Sequence, residues 1–257
     1  MRIASNGTEL AVTVTGSGPP VVLLHGWPHT RRVWEQVLLP GRRVIAPDLR
    51  GVGESAPASD GFDAATQAAD VLGVLDALGV GAVEVAAVDA GVPVAFLLAM
   101  GHPWRVRRLV LMEGTLPGLP GGFDVPPWWF GFHAVPGLAE AVVEGREDVY
   151  LGWFLRAVED PALRAAFVAG YRGRLAAGFG FYRAMEENAS LIRAAVAADR
   201  LRMPVVALGG SVVGSRLHRQ LEPHADDLTG EILERCGHIV PLDRPDALTR
   251  ILVNHDR

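Results

Sequence analysis

Short apolar runs alternate along the chain with segments of helical periodicity. The runs at residues 21–24 and 82–88 are almost continuously apolar, which is typical of parallel strands buried on both faces. A further strand is predicted at residues 106–112. Residues 64–78 instead place apolar side chains at helical spacing and stop at Gly79, a common residue just past a helix C-terminus. This alternation predicts a mostly parallel sheet with right-handed crossovers and helices on both faces.

The weaker patterns complete this α/β architecture. Residues 9–15 alternate only in part and are predicted to form an antiparallel edge strand. Further strands are predicted at residues 43–46, 204–208 and 232–233, and further helices at residues 92–100 and 243–253. The predicted fold class is therefore α/β.

The residue composition changes at Leu116, where a stretch rich in Pro, Gly and aromatic residues begins. Helical patterns follow from Gly137 to about Arg200 before strand-like sequence resumes. We therefore predict a core of residues 1–115 and 201–257 and a helical cap of residues 116–200. Such a cap is expected to cover the carboxyl-terminal edge of the sheet, where open parallel sheets bind ligands.

Composition narrows the classes of function. The 257 residues are 49% hydrophobic, and the net charge of −5 comes without a basic stripe, so no nucleic-acid partner is expected. All 24 cationic positions are Arg, which excludes Lys Schiff bases and pyridoxal phosphate chemistry and is typical of a GC-rich bacterial genome. The single Cys236 excludes an internal disulfide and is typical of a reducing cytoplasm. No apolar run approaches the ~20 residues that span a bilayer, and the polar start indicates no signal peptide.

Asp89 stands at the tip of a predicted strand–turn–helix. Small residues, Ala87 and Gly91, lie two positions away on either side, as the strained turn of a G-x-S-x-G nucleophile elbow requires. No Ser occupies the tip, so a serine-esterase reaction is excluded. A carboxylate there attacks an alkyl carbon and forms an ester, so strained or activated carbon centres are the expected targets. The alternative interpretation is an Asp that only caps the following helix.

Four segments resemble the α/β-hydrolase superfamily. They are His25-Gly26-Trp27-Pro28, the run PDLRGVGES at residues 47–55, the aspartate elbow, and Cys236-Gly237-His238. Within the superfamily the chain looks like the branch of epoxide hydrolases and haloalkane or haloacid dehalogenases, and H-G-x-P is a hallmark of the epoxide hydrolases. The resemblance implies the α/β-hydrolase fold with a cap and a hydrolase that needs no cofactor.

The elbow departs from the family pattern at several positions. Relatives usually carry Gly-His before the nucleophile, where this chain has Ala87 and Val88. Many haloalkane dehalogenases place a halide-binding Trp directly after the Asp, where Ala90 stands here. Fluoroacetate dehalogenases follow the Asp with Arg residues, and this chain has none at those positions. The last two differences favour the epoxide hydrolases over both dehalogenase types.

The resemblance also implies a base and an orienting acid. His238 lies in the superfamily's histidine loop and would take a proton from water, which a near-neutral imidazole does well. Glu113 ends the strand after the elbow helix, where some dehalogenases carry the acid that orients the histidine. The loop after residues 204–208 contains no acid. Asp226 and Asp227 remain as alternative acids.

Two backbone groups are predicted to form an oxyanion hole. The resemblance implies that these are the N–H groups of Trp27 and Ala90. They would hold the negative oxygen when water attacks the Asp89 ester. Pro28 is a candidate for a cis peptide bond that turns Trp27 into the site.

The cap is expected to supply donors for the leaving oxygen. Tyr182 matches the cap tyrosine of related epoxide hydrolases, and one of Trp128 and Trp129 is expected to point inward, since an indole N–H donates only. His133 and His29 are further candidates for the pocket wall. Each of these side chains has a simpler alternative role in packing.

The hypothesis is an epoxide hydrolase that forms an aspartyl ester and releases it as a diol. One alternative is a dehalogenase with the same first step, and another is an epoxide-opening cyclase or a ligand-binding protein of the same fold. The expected partner is an apolar small molecule, with no membrane and no cofactor, and a homodimer is a further expectation.

Overall fold

The structure, a computed structural model, describes residues 1–253. Within these residues eight strands form one sheet in the order β1-β2-β4-β3-β5-β6-β7-β8. The strands are β1 (Arg2–Ser5), β2 (Thr8–Thr15), β3 (Pro20–Leu24), β4 (Arg43–Pro47), β5 (Val83–Val88), β6 (Val106–Met112), β7 (Val205–Gly209) and β8 (Leu228–Ile232). All pairings from β4 to β8 are parallel, and β2 pairs antiparallel with β1 and β4. The predicted α/β fold class is confirmed.

Helices flank the sheet and connect its parallel strands. They are α1 (Ala64–Ala77), α2 (Gly91–Gly101), α3 (Trp128–Ala134), α4 (Leu138–Val143), α5 (Glu147–Phe154), α6 (Pro161–Ala169), α7 (Leu175–Arg183), α8 (Met185–Ala198), α9 (Arg216–Leu221), α10 (Val240–Asp243) and α11 (Pro245–Val253). Helix α1 starts after Asp63, whose side chain accepts the backbone N–H of Thr66 at 2.8 Å, which satisfies an otherwise free donor of the first turn.

The middle of the sheet carries the core. Every residue of β5 is buried, because strands on both sides and helices on both faces exclude water from it. Helix α2 behind the elbow is apolar all round and buries Val92, Phe96 and Leu98 completely. A rigid, dry strand and helix therefore hold the turn between them.

Three predicted elements differ from the structure. The strand predicted at the edge, β2, lies inside it, because residues 2–5 form β1 at the edge with alternately exposed and buried side chains. The helix predicted at 243–253 begins two residues later as α11, with Pro245 at its first position, and the short helix α10, which was not predicted, precedes it. The last strand runs over Leu228–Ile232 rather than 232–233. It is an exposed edge strand without an apolar run, so periodicity could not reveal its start.

Helices α3 to α8 lie between β6 and β7 in the chain. They coincide with most of the predicted cap, and its boundaries at residues 116 and 200 stay a prediction. In the described part of the chain, no helix combines the length and apolar character that a membrane crossing requires.

Candidate active site

The turn between β5 and α2 presents Asp89 with a left-handed backbone. Its φ is +52°, an uncommon conformation for a residue other than glycine. The surroundings leave no room for larger neighbours: a Cβ on Gly91 would lie 2.8 Å from the His25 carbonyl oxygen, and one on Gly26 would lie 2.5 Å from the Asp89 Cβ. Small residues are therefore required on both sides of the carboxylate, as in a nucleophile elbow.

The Asp89 carboxylate has a separate contact for each oxygen. Its Oδ2 accepts the backbone N–H of Trp27 at 2.9 Å. Its Oδ1 lies 3.7 Å from Nε2 of His238. The Trp27–Pro28 peptide is cis, which confirms that prediction. The carboxylate thus faces a backbone donor on one side and an imidazole on the other.

Glu113 lies on the far side of the same imidazole. Its Oε2 is 3.1 Å from Nδ1 of His238, and the Glu113 side chain is fully buried. The backbone N–H of Val213 donates to it at 3.0 Å, and the N–H groups of Gly210 and Gly214 donate to Oε1. The loop after β7 contains no acid because it serves as the donor cradle for the acid that β6 supplies.

The alternative acids do not reach the imidazole. Asp226 lies on the surface, where Arg200 and Arg202 hold it at 2.8 Å and 3.0 Å. Its neighbour Asp227 uses its backbone carbonyl to accept the N–H of Val205 at the start of β7. Among the acids considered from sequence, Glu113 is the one that the structure places beside His238.

The charges around His238 favour its protonated form beside an ionised Asp89. Burial alone would lower the pKa of His238, but hydrogen bonds and charges of Asp89 and Glu113 outweigh it and raise that pKa to about 10. Burial alone would raise the pKa of Asp89, but His238 and the Trp27 N–H hold it below its usual value. The raised pKa of His238 and the lowered pKa of Asp89 together favour an imidazolium beside the Asp89 carboxylate.

A cavity of about 440 Å³ opens over the carboxylate, between the sheet edge and the helices after β6. Trp129 and Tyr182 lie in its wall, as do Phe62, Phe130 and Phe181. Burial and the charge of Asp89 raise the pKa of Tyr182 well above its usual range, partly opposed by a hydrogen bond with Trp129. Tyr182 therefore keeps its proton at any working pH.

The structure corrects two predicted wall residues. Trp128 is 59% exposed and lies outside the cavity wall, because successive residues of a helix point about 100° apart and only Trp129 faces inward. His133 is fully buried behind the wall. Its Nε2 contacts the Tyr150 hydroxyl at 2.6 Å, and its ring stacks on Phe179 at 4.4 Å.

His29 does lie in the cavity wall, and its side chain is nearly completely buried. Burial lowers its pKa to about 3, so the imidazole is neutral. Its ring packs edge-on against Phe167 at 5.0 Å. Both ring nitrogens are enclosed without a partner within residues 1–253, so packing is the contact that the structure shows for this side chain.

Three wall residues have no counterpart in the sequence-based prediction. They are Gln67 on α1, Asn188 on α8 and Arg156 after α5. Polar residues at helical spacing usually face solvent, so the pattern carried no signal that these face a cavity. In the described ranges, no cluster of three or more His, Cys, Asp or Glu side chains is arranged to hold a metal ion.

Comparisons with known proteins identify the fold and the family. A sequence model of the α/β-hydrolase fold matches residues 19–161. The chain is 32% identical to a soluble epoxide hydrolase from Corynebacterium sp. (strain C12), over 93% of this chain and 91% of that protein. The crystal structure of Cfl2 from Burkholderia cenocepacia superposes with a TM-score of 0.93 at 32% identity, covering 100% of this chain and 95% of Cfl2. The structure of the epoxide hydrolase CorEH superposes with a TM-score of 0.91 at 30% identity, covering 98% and 96% of the two chains.

Proposed function

Because the chain belongs to the α/β-hydrolase family, in its epoxide hydrolase branch, we propose that it opens epoxides to diols through an ester of Asp89. The row from Asp89 through His238 to Glu113, facing an apolar cavity, is the observation that carries this proposal. We further propose that residues 116–200 act as the cap that keeps water from the first step.

In the first step Asp89 Oδ1 attacks an epoxide carbon and the carbon–oxygen bond of the ring breaks. The oxygen leaves as an alkoxide, which is a poor leaving group unless a donor protonates it. Tyr182 supplies that proton, because its high pKa keeps the hydroxyl protonated until the alkoxide forms. The Trp129 indole, which can only donate, stabilises the resulting phenolate.

Ester formation itself prepares the second step. Asp89 loses its negative charge when it becomes an ester, so one of the two carboxylates that raise the pKa of His238 is gone. His238 then releases its proton to solvent, which returns a proton to Tyr182. The neutral imidazole that results can act as a general base.

In the second step His238 takes a proton from water, and the water oxygen attacks Cγ of the Asp89 ester. Glu113 stabilises the imidazolium that forms and holds Nδ1 in place. The negative Oδ2 is held by the N–H of Trp27, with that of Ala90 as the second proposed donor. The bond between Cγ and Oδ1 then breaks, and the diol leaves with Oδ1 and the proton of His238. Asp89 retains the oxygen of water, and the remaining proton of that water passes to His238, which restores the resting site.

A single-turnover reaction in heavy-oxygen water tests the ester. We expect wild-type protein to produce diol without label and to carry one heavy oxygen in the peptide that contains Asp89, as measured by mass spectrometry. Label in the diol and none in Asp89 would mean that water attacks the epoxide directly.

The matched variant is Asp89→Ala, in which we expect diol formation to fall by at least about 10⁴-fold. The Ala side chain fits the elbow, which needs small residues, so the fold is retained. Circular dichroism and the unfolding temperature check that fold, and full activity in the variant would exclude Asp89 as the nucleophile.

A further inference from the structure

One polar side chain in the cavity wall has an unused donor group. Asn188 lies on α8, is 6% exposed and faces the same cavity as Asp89. Its Oδ1 accepts the backbone N–H of Ala64 at 2.7 Å. This N–H belongs to the first turn of α1, so Asn188 is held by an element different from those that carry Asp89, Glu113 and His238.

The contact with Ala64 decides which way the amide points. A backbone N–H can only donate, so the amide atom that faces it is the oxygen, and Nδ2 points to the other side. Within residues 1–253, no side chain or carbonyl accepts from Nδ2, and Nδ2 is not among the polar atoms sealed by protein. Two N–H donors are therefore held in the cavity wall without a protein acceptor.

The surroundings of Asn188 make this donor selective for the ligand that fills the cavity. Phe62, Phe181 and Met185 line the same cavity, so a purely apolar ligand would withdraw the Nδ2 donors from water without giving them an acceptor. The other amide in this wall, Gln67, is committed: its Nε2 donates to the Phe62 carbonyl at 2.7 Å and its Oε1 is enclosed. Asn188 Nδ2 is thus the open amide donor of the pair.

We propose that Asn188 is a specificity-determining residue that donates a hydrogen bond to a neutral oxygen of the substrate, separate from the epoxide oxygen. This inference rests on the proposed epoxide hydrolysis and narrows its substrates to epoxides that carry a carbonyl, ether or hydroxyl oxygen. The acceptor is neutral because Asn188 and Gln67 carry no charge, and a carboxylate buried against one amide would lack compensation. Arg156 in the same wall is engaged elsewhere, since it donates to the Trp153 carbonyl at 2.6 Å and packs over the Trp153 ring.

A series of ketone epoxides tests the proposal. The compounds are terminal epoxides of equal chain length, with a ketone moved one carbon at a time and an all-methylene compound as reference. We expect one ketone position to raise kcat/KM roughly tenfold over the reference in the wild type, as one hydrogen bond to a neutral partner would. Dividing kcat/KM of each ketone by that of the reference compound removes any effect that a variant has on the fold as a whole.

Two variants of Asn188 and one control complete the design. Asn188→Leu removes both donors, and Asn188→Asp keeps an oxygen for Ala64 while removing the donors when measured at pH 9. Circular dichroism and the unfolding temperature check the fold of both variants. We expect both variants to reduce the ratio to about one or below. Ser190→Ala, an exposed change on the same helix, is expected to keep the wild-type ratio. A wild type without any preferred ketone position, or variants that keep the preference, would overturn the proposal.

Binding without turnover separates this inference from the catalytic proposal. Saturated ketones and alkanes without an epoxide are titrated against the protein. Quenching of tryptophan fluorescence is the signal, because Trp27, Trp129 and Trp153 lie in the cavity wall. A ketone preference that depends on Asn188 supports the donor site even where no epoxide is hydrolysed. Epoxide hydrolysis with equal ketone and alkane binding supports the catalytic proposal and rejects the donor site.

Discussion

Different contacts stabilise the two sides of the cavity wall. The sheet supplies one side, and helices α3–α8 supply the other. On the sheet side, hydrogen bonds from backbone N–H groups fix charged side chains: Trp27 holds Asp89, while Gly210, Val213 and Gly214 hold Glu113. On the helical side, aromatic rings pack on one another, as Tyr182 does on Phe130 at 5.2 Å and on Trp27 at 5.5 Å.

This difference suggests separate roles, with the sheet side suited to the reaction and the helical side to the choice of substrate. Backbone donors belong to the fold and keep charges within hydrogen-bond distance whatever the substrate, so the sheet side is suited to a fixed reaction. Ring packing depends on side-chain size and shape and tolerates substitution better than a buried charge does. We therefore expect changes on the sheet side to stop one step of the reaction, and changes on the helical side to alter its rate with particular substrates.

Replacing Glu113 by Gln should reduce the reaction rate more than the other changes described below. The amide cannot stabilise the His238 imidazolium, and its NH₂ group would face the N–H donors of the β7 loop. We expect hydrolysis of the ester to slow by about 10³-fold while its formation slows less. The alkylated protein should then accumulate and be visible by intact-protein mass spectrometry. Equal slowing of both steps would contradict a role for Glu113 confined to hydrolysis.

The charges on the sheet side should also make stability depend on pH. The pKa of His238 is about 10 in the folded protein against 6.5 for a free side chain, because the hydrogen bonds and charges of Asp89 and Glu113 outweigh the burial that lowers it. Because the folded protein binds the His238 proton more tightly than the unfolded chain does, protonation stabilises the fold. This stabilisation is fully present below about pH 6.5 and is lost as the pH rises through about 10. We expect a loss of about 2 kcal/mol in unfolding free energy over that interval, after allowance for screening of a partly exposed group.

Urea unfolding at several pH values measures this loss. The matched variant is His238→Gln, which lacks the ionisable group and should lose clearly less stability over the same interval. A variant on the helical side, such as Trp129→Phe, should follow the wild-type curve, because the titrating group lies on the sheet side. Identical curves for wild type and His238→Gln would show that another group dominates.

The smallest effect is expected on the helical side. Trp129→Phe removes the indole donor to Tyr182 but keeps an aromatic ring in the wall, so we expect ester formation to slow about tenfold and ester hydrolysis to be unchanged. Trp128→Phe is the matched control, because Trp128 is exposed outside the cavity. Rapid-mixing measurements of both steps test the pair, and equal effects of the two changes would reject the proposed donor role of Trp129.

The sequence determined the class of fold and the position of Asp89 at a turn between a strand and a helix. Apolar strands and helical spacing are local patterns set by burial on one or two faces, and the small residues around Asp89 are a local requirement of a tight turn. Both can be read along a few neighbouring residues. The family resemblance of H-G-W-P and of the segment around His238 added the remaining roles.

Only the tertiary structure decided which side chains meet. Glu113 and His238 are 125 positions apart in the chain and are joined by a hydrogen bond, and the loop without an acid proved to be a set of donors for Glu113. Trp128 and Trp129 are neighbours of one type, yet the phase of α3 directs only one of them inward. The free donor of Asn188 depends on a contact with Ala64 from a distant element. Contacts of this kind arise from packing between elements, for which no spacing along the chain provides a signal.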